Sequence, residues 1–547
     1  MALQLHNTLT RRKEPFVPRD EGRVGIYLCG VTVYSEPHVG NLRNVVVFDV
    51  LRRHLSASGY QVLYVRNYTD VDDRIIEAAG HDPLRAFVVA ERWTRVYEEI
   101  VAALGVLPPD IAPRASGHIP EMLELISRLV EVGLAYQAAG DVYFAVGRWP
   151  QYGKLSGRDL AELKAGARVE VNPDKRDPLD FALWKGAKPG EPTWDSPWGP
   201  GRPGWHIECS AMAGKYLGRG FDIHGGGEDL VFPHHENEIA QSEGATGEPF
   251  ARYWLHNAFL ELKGEKMAKS VGNVVSPREL LRRHRGVVLR YALLGAHYRS
   301  PLEFSEEVIA DAAASYDRLA TFATNAARAL GAELPAAAVG VGPSEPAGWR
   351  DRFQAALDDD LNVPAALAVL FDLVAEANPL IVKLEQGDAS VLDGLRDRFA
   401  TFLGLAGRLG FSPLDDLPDP ASPRGRFEAA LDDDLNVPAA MAVLFDLVAE
   451  ANPLIGKLEH GDTGVAGELR DRFATFLGLA GRLGFTPLDD LPDPAAFRPV
   501  LDLLLNLRER ARGSRDFAVA DAIRDRLAEA GIRVEDRPGG PRWHLIP

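Results

Sequence analysis

Cysteine is almost missing from this chain: 547 residues contain two, Cys29 and Cys209. So sparse a set excludes the disulfide frameworks of small secreted domains and makes a disulfide less expected than another use for the two thiols. The N-terminal MALQLHNTLTRRKEP has no secretory character, and no uncharged apolar run reaches membrane-spanning length. The expectation is a cytoplasmic protein with no membrane partner. An excess of basic residues is missing as well. The formal net charge is −17, which would argue against a nucleic-acid partner if it were evenly spread. It is not: residues 353–422 hold 12 acids against 4 bases and residues 427–496 hold 13 against 4, so −8 and −9 account for all of it. The remainder balances to zero and can carry local basic surfaces. Composition is otherwise ordinary for a globular chain, 46% hydrophobic and 25% charged, and the length suggests three or four domains.

What is present centres on Phe221–Glu243, FDIHGGGEDLVFPHHENEIAQSE. Three glycines follow a β-branched and aromatic run. Pro233 then stands where a first helical residue would, so the pattern predicts a helix from there through Glu238. On a helix, ligands converge when they lie three or four residues apart. His234 and Glu238 meet that rule, whereas the i+4 partner of His235 is Ile239. Together with Cys29 and Cys209 they supply two thiolates, an imidazole and a carboxylate, a complete tetrahedral zinc set. A charged helix start and two inert buried thiols are the alternative, because ligands from three distant places lack the paired knuckles of a zinc finger.

Arg23–Cys29 reads as a buried strand, His38–Ser58 as a helix ending at Gly59, and Gln61–Asn67 as a second strand. That is the βαβ entry to a doubly wound parallel sheet, where helix N-termini beyond the strand ends receive phosphate. His38, Gly40 and Asn41 stand at such an end. Taken alone, HVGN is a weak signal and fits a surface histidine equally. Lys266 and Lys269, in KGEKMAKSVGN, could grip phosphate oxygens or be solvated charges on a turn.

Jointly, HVGN and KMAKS resemble the paired HIGH and KMSKS signatures of class I aminoacyl-tRNA synthetases. CGVTVYSEPHVGNLRN, YTDVDDRII, GWHIECSAM, HGGGEDLVFPHHENEIAQSE and ADAIRDRLAEAGIRVED narrow the resemblance to the cysteinyl-tRNA synthetase family, in register over essentially the whole chain. The departures are small: Val39 and Asn41 alter HIGH, Val31 stands where the family usually has proline, and Ala268 replaces a serine. The resemblance implies ATP, L-cysteine and tRNA(Cys) as substrates, with Mg²⁺ on the ATP phosphates and one zinc per chain held by Cys29, Cys209, His234 and Glu238. It implies that His38 and Asn41 contact ATP phosphates, Gly40 leaves room for adenine, Asp229 holds the ribose, and Lys266 and Lys269 neutralise the departing pyrophosphate. Thr69 would hold the substrate's amino group, and Trp205 and His206 would close over its side chain. Core packing for Trp205 and a strand-end cap for Thr69 are the bland readings.

The implied fold class is α/β. A Rossmann-like catalytic core would occupy residues 1–115 and 205–250, split by a connecting insertion at 116–204. A KMSKS-type loop and stem-contact region would follow at 251–307. Residues 308–426 read as an all-α tRNA-binding domain whose end, 353–422, recurs at 427–496 with about 59 identities in 70. The second copy, 427–496, is surplus to the family pattern. Each unit opens ALDDDLNVPAA, with Asn362 or Asn436 as N-cap, and its acidic face reads as solvated surface. Residues 497–547 read as a small α/β anticodon-binding module, because ten arginines against eight acids in Arg498–Pro547 suit an RNA loop. The expectation is therefore a monomeric cysteine–tRNA ligase. Its competitors are a ligase joining cysteine to an amino sugar, which would lack the tail, and a catalytically silent zinc-containing RNA-binding paralogue.

Overall fold

The computed structural model describes residues 2–159, 173–262, 265–266 (backbone only), 275–331, 348–414 and 437–459. It also describes shorter pieces between 426 and 480, scattered helical positions from 505 to 527, and strands at 532–537 and 540–545. The chain divides into two compact units, Met1–Leu414 and Asp415–Pro547.

The first unit is built on four parallel strands: β1 Arg23–Leu28, β2 Gln61–Arg66, β3 Phe221–Gly227 and β4 Ala251–Asn257. Their order is β4-β3-β1-β2. Val24, Ile26, Tyr27 and Leu28 of β1 are all buried, as expected for a strand covered on both faces. After β1 the helix α1, Val39–Ala57, leads to β2 on one side, and the chain later returns as β3 on the other. The carboxyl ends of β1 and β3 therefore flank a topological switch point, the place where ligands bind in this architecture.

Two buried arginines tie α1 to later parts of the chain. Arg43 donates to the carbonyls of Ala258, Phe259, His297 and Ser300, which fixes the chain just beyond β4. Arg290 pairs with Asp49 of α1 and donates to the carbonyls of Leu104 and Leu409. The insertion carries the helix Ile119–Glu131 and a four-stranded antiparallel sheet, Ala135–Ala138, Asp141–Phe144, Phe181–Gly186 and Gly201–Pro203 in that order. The last two strands lie in a stretch rich in proline and glycine. Pro203 is tolerated because its strand is at the sheet edge, where a missing N–H costs no ladder bond.

Four helices close this unit: α2 Glu306–Leu330, α3 Trp349–Asp358, α4 Val363–Glu385 and α5 Leu392–Arg408. Phe322 of α2 meets Phe399 and Phe402 of α5 edge-on, with ring centroids 6.1 and 4.9 Å apart. By length and hydropathy α4 could cross a membrane, yet Ala366, Leu370, Leu373 and Ala377 are fully buried in the bundle. Asn362 caps α4, accepting from the Ala365 amide at 3.1 Å. Of the aspartates before it, Asp359 stays exposed beside Lys13, whereas Asp358 and Asp360 are buried docking groups and not solvated surface. Asp358 meets His54 Nε2 of α1 at 2.9 Å. Asp360 accepts from the His6 amide and the Tyr298 hydroxyl, both at 2.8 Å, and from Arg299 Nε at 2.7 Å. These bonds hold Asp360 and Leu361 at positive φ (59° and 52°), a backbone cost that non-glycine residues accept only when fixed from outside.

In the second unit, the helix Val437–Glu459 repeats α4, and Phe427, Ala440, Leu444, Leu447 and Leu479 form a small core. Val437, Val448 and Phe473 are exposed there, whereas their counterparts Val363, Val374 and Phe399 are buried. Antiparallel strands Ile532–Arg537 and Gly540–Leu545 end the chain, with Val534 against Leu505, Ile523 and Leu527.

Because Asp432 and Asp434 repeat Asp358 and Asp360 in sequence, excising residues 353–426 should leave a folded protein whose remaining copy docks on the same core. Calorimetry should give one cooperative transition within about 5 °C of the full chain. Loss of cooperative unfolding would show that the copies are not interchangeable.

Candidate active site and metal centre

Cys29 follows β1 directly, and its amide donates to the Gly225 carbonyl of β3 at 3.1 Å, which pins the sulfur at the switch point. Cys209 comes from the helix Trp205–Leu217, which starts after Gly204. The helix expected from Pro233 begins later. Phe232 is extended (φ −141°, ψ 130°), as residues before proline prefer to be, so one wide turn, Val231–His235, precedes the regular helix Glu236–Thr246. The i,i+4 relation survives this shift: His234 Nε2 lies 3.0 Å from Glu238 Oε1.

One ligand atom each from Cys29, Cys209, His234 and Glu238 lies within 4.8 Å of the others, and all four residues are buried. The sulfurs are 3.5 Å apart, and Cys29 Sγ is 3.4 Å from Glu238 Oε1. Two thiolates, an imidazole and a carboxylate at this spacing fit a four-coordinate d¹⁰ ion. A second set, Cys29, His224, His235 and Glu238, meets the same distance limit. The sulfur-rich set suits a borderline-soft metal better, and the other histidines already have supporting partners. His224 Nε2 is 2.8 Å from Glu238 Oε2 with Nδ1 3.2 Å from the Tyr27 carbonyl, and His235 Nδ1 is 2.7 Å from His256 Nε2. His206 Nδ1 lies 2.9 Å from His234 Nδ1. Such partners fix ligand orientation.

Electrostatics tie the cluster together. Burial would raise Glu238, but His224 and His234 bring it down to about 2. Burial would lower His234, but Glu238 and Cys209 hold it up to about 10. Burial pushes the Cys29 thiol well up; it acts against Cys209 too, yet hydrogen bonds with Cys29 and His234 bring Cys209 down to about 6. Burial keeps His206 and His235 low and takes His256 to about 3, so these rings are neutral supports. In the cluster as it stands the charged His234 is the positive partner of the anionic pair Cys209 and Glu238; a bound dication would take its place in exchange for protons.

Beside the cluster opens a cleft of about 680 Å³, lined among others by Cys29, His38, Gly40, Asn41, Trp205 and Asp229. His38 stands at the N-terminus of α1, and Asn41 Oδ1 accepts from its amide at 3.0 Å. Glycine at position 40 has a local cause: a Cβ there would lie 2.8 Å from the His38 ring. Gly226 likewise makes room for the His235 ring, 2.8 Å from where its Cβ would be. Asp229 lies at the rim, in the turn Glu228–Leu230. Trp205 stacks on His234 with centroids 4.3 Å apart, and His206 is behind it. Thr69 does not line the cleft; it is buried behind the Val31–Val33 backbone, and its hydroxyl donates to Glu208 Oε2 at 2.8 Å. Lys269 lies outside the described residues, and Lys266 sits on the strand Glu265–Lys266 with only its backbone described. Helical spacing set His235 aside, and the sequence reading missed His224 and His256, which spacing along one helix does not select, and Glu208, whose signal was its place beside Cys209.

A family model for the class I (C) tRNA synthetase catalytic domain matches residues 15–314. The chain is 45% identical over 544 residues to the cysteine–tRNA ligase of Desulforudis audaxviator, covering 99% of each. The chain belongs to the cysteine–tRNA ligase family. A member from Thioalkalivibrio sulfidiphilus is 46% identical over 544 residues, again covering 99% of each. The DALR domain model matches twice, at 352–410 and 426–485, so the repeat is two copies of one family domain. The cysteinyl-tRNA ligase anticodon binding domain matches residues 496–543. Among solved structures, methionyl-tRNA synthetase of Mycobacterium tuberculosis in complex with methionyl-adenylate superposes with a TM-score of 0.51 at 18% identity, covering 71% of this chain and 89% of that one. At that identity the likeness bears on the fold alone.

Zinc-loaded wild-type protein should contain one zinc per chain by metal analysis, and Cys209→Ser should contain none at stoichiometric level while still binding ATP. One zinc retained per chain in that variant would remove Cys209 from the ligand set.

Proposed function

We propose a division of labour among these residues for the cysteine–tRNA ligase reaction, in which L-cysteine and ATP give cysteinyl-adenylate and pyrophosphate, and the cysteinyl group then passes to the 3′-terminal adenosine of tRNA(Cys). The observation that carries it is Cys29, which belongs both to the buried cluster and to the wall of the cleft. Side-chain recognition and adenylation thereby share one space.

Attack of the cysteine carboxylate on the α-phosphorus builds charge on the departing pyrophosphate, so the step needs positioned positive groups more than proton transfer. His38 and Asn41, at the N-terminus of α1, receive the phosphates where the helix dipole favours anions. Lys266, Lys269 and Mg²⁺ on the ATP phosphates complete the neutralisation. Asp229 and Gly40 take the ribose and adenine, and Trp205 and His206 close the substrate's side-chain end.

Selectivity poses the harder problem, since cysteine and serine differ by one atom and a shaped pocket separates such pairs by only ~10–200-fold. Zinc, held by Cys29, Cys209, His234 and Glu238, supplies a centre that bonds a thiolate strongly and a hydroxyl poorly. Mg²⁺ or Ca²⁺ would be mismatched to two sulfur donors. We expect the enzyme to act as a cytoplasmic monomer, with the C-terminal module reading the tRNA; an amino-sugar ligase would have no use for that module.

Removing Arg498–Pro547 should leave cysteine-dependent pyrophosphate exchange within about twofold of full-length, while tRNA charging falls by roughly a hundredfold or more through lost anchoring. Equal charging by truncated and full-length protein would contradict an anticodon role for the tail.

A further inference from the structure

In its first copy the repeated unit has a neighbour that is not repeated with it. Helix α2, Glu306–Leu330, closes one face of that copy. Phe322 meets Phe399 and Phe402 edge-on. The Arg318 guanidinium sits 4.9 Å from the centre of the Phe371 ring, and Arg328 Nη2 lies 3.2 Å from Glu385 Oε1. Val374 lines the same seam. Phe371, Val374, Glu385, Phe399 and Phe402 recur unchanged 74 positions on, as Phe445, Val448, Glu459, Phe473 and Phe476. No second α2 goes with them, because only residues 423–426 separate the copies, about one helical turn. The consequence is exposure. Phe399 and Val374 are 0% and 7% exposed, whereas Phe473 and Val448 are 44% and 42% exposed and Phe445 is 66% exposed. Apolar side chains uncovered together, on a unit whose twin is covered, mark an interaction face and not scattered surface residues.

We propose that this face of the second copy is a docking site for an amphipathic helix of a partner protein. The partner helix carries the α2 pattern on an alanine-rich stripe: an arginine, an aromatic residue four positions on, and a second arginine six beyond it. Copy 1 shows the fit, since Arg318, Phe322 and Arg328 have that spacing. On copy 2 the aromatic residue meets Phe473 and Phe476, the first arginine covers the Phe445 ring by a cation–π contact, and the second pairs with Glu459. Helices laid into apolar grooves are read through anchors at such three- and four-residue intervals, and Ala314, Arg318, Phe322 and Asn325 of α2 line its seam with α4 in this way. Charge selects the same occupant. Residues 427–496 hold 13 acids against 4 bases, which attracts a helix with cations at its anchor positions and repels a second chain bearing the same excess of acid. The chain's own α2 is already engaged with copy 1.

The probe is a fluorescently labelled synthetic peptide with the sequence of Glu306–Leu330, titrated into the full-length chain and followed by anisotropy. Wild type should bind it saturably, one peptide per chain. Phe473→Glu and Phe445→Glu, both at exposed positions, should each weaken binding roughly tenfold or more, as loss of an aromatic anchor does. Phe322→Ala in the peptide should weaken binding to wild type by a similar factor, and it tests the same contact with the protein chain unaltered. Sedimentation of the chain alone should show no self-association. Absence of saturable binding, or binding that Phe473→Glu, Phe445→Glu and the peptide change all leave as it was, would overturn the proposal. So would a concentration-dependent dimer abolished by Phe473→Glu, which would give the face to a second copy of this chain.

Discussion

Two thiols, an imidazole and a carboxylate are each expensive to bury alone, and in this protein they are buried within 4.8 Å of one another. Their cost is met mutually. His224 and His234 stabilise the Glu238 carboxylate, while Glu238 and Cys209 stabilise the charged form of His234. Removing one member leaves the others with an unmatched buried charge, which is the expensive case. The surrounding neutral histidines and Trp205 exclude water and fix ring orientation without adding charge. The cluster is thus stable as a set and poised for a dication.

The sheet decides where that set can exist. Strand order β4-β3-β1-β2 opens a switch point above β1 and β3, so Cys29 from the end of β1, the histidines after β3 and His38 at the start of α1 converge there although they are far apart in sequence. Buried arginines hold the frame: Arg43 anchors the chain beyond β4, and Arg290 joins Asp49 of α1 to Leu409 in the first repeat copy. Through Asp358 and Asp360 that copy is an integral part of the first unit, not an appendage.

Much of this is legible in the sequence, and for stateable reasons. The βαβ start is visible because buried parallel strands are continuous apolar runs, and His234 and Glu238 because helical spacing brings i and i+4 together. The second copy is visible by identity alone. Other features depend on tertiary placement. His224, His235 and His256 support the cluster from two strands and a turn, which no single periodicity links. Asp358 and Asp360 of ALDDDLN look solvated in sequence, and become docking groups only because His54, His6, Tyr298 and Arg299 arrive from elsewhere. The strands Phe181–Gly186 and Gly201–Pro203 are hidden among the prolines and glycines that flank them. Thr69, Glu208 and Asn67 form a buried relay that sequence order does not suggest.

Zinc X-ray absorption on the loaded protein tests the central claim most directly. The account predicts two sulfur neighbours at ~2.3 Å and two nitrogen or oxygen neighbours at ~2.0 Å, with a third sulfur entering when cysteine is added. A shell with one sulfur and three nitrogen or oxygen neighbours would assign the ion to Cys29, His224, His235 and Glu238, and would contradict it.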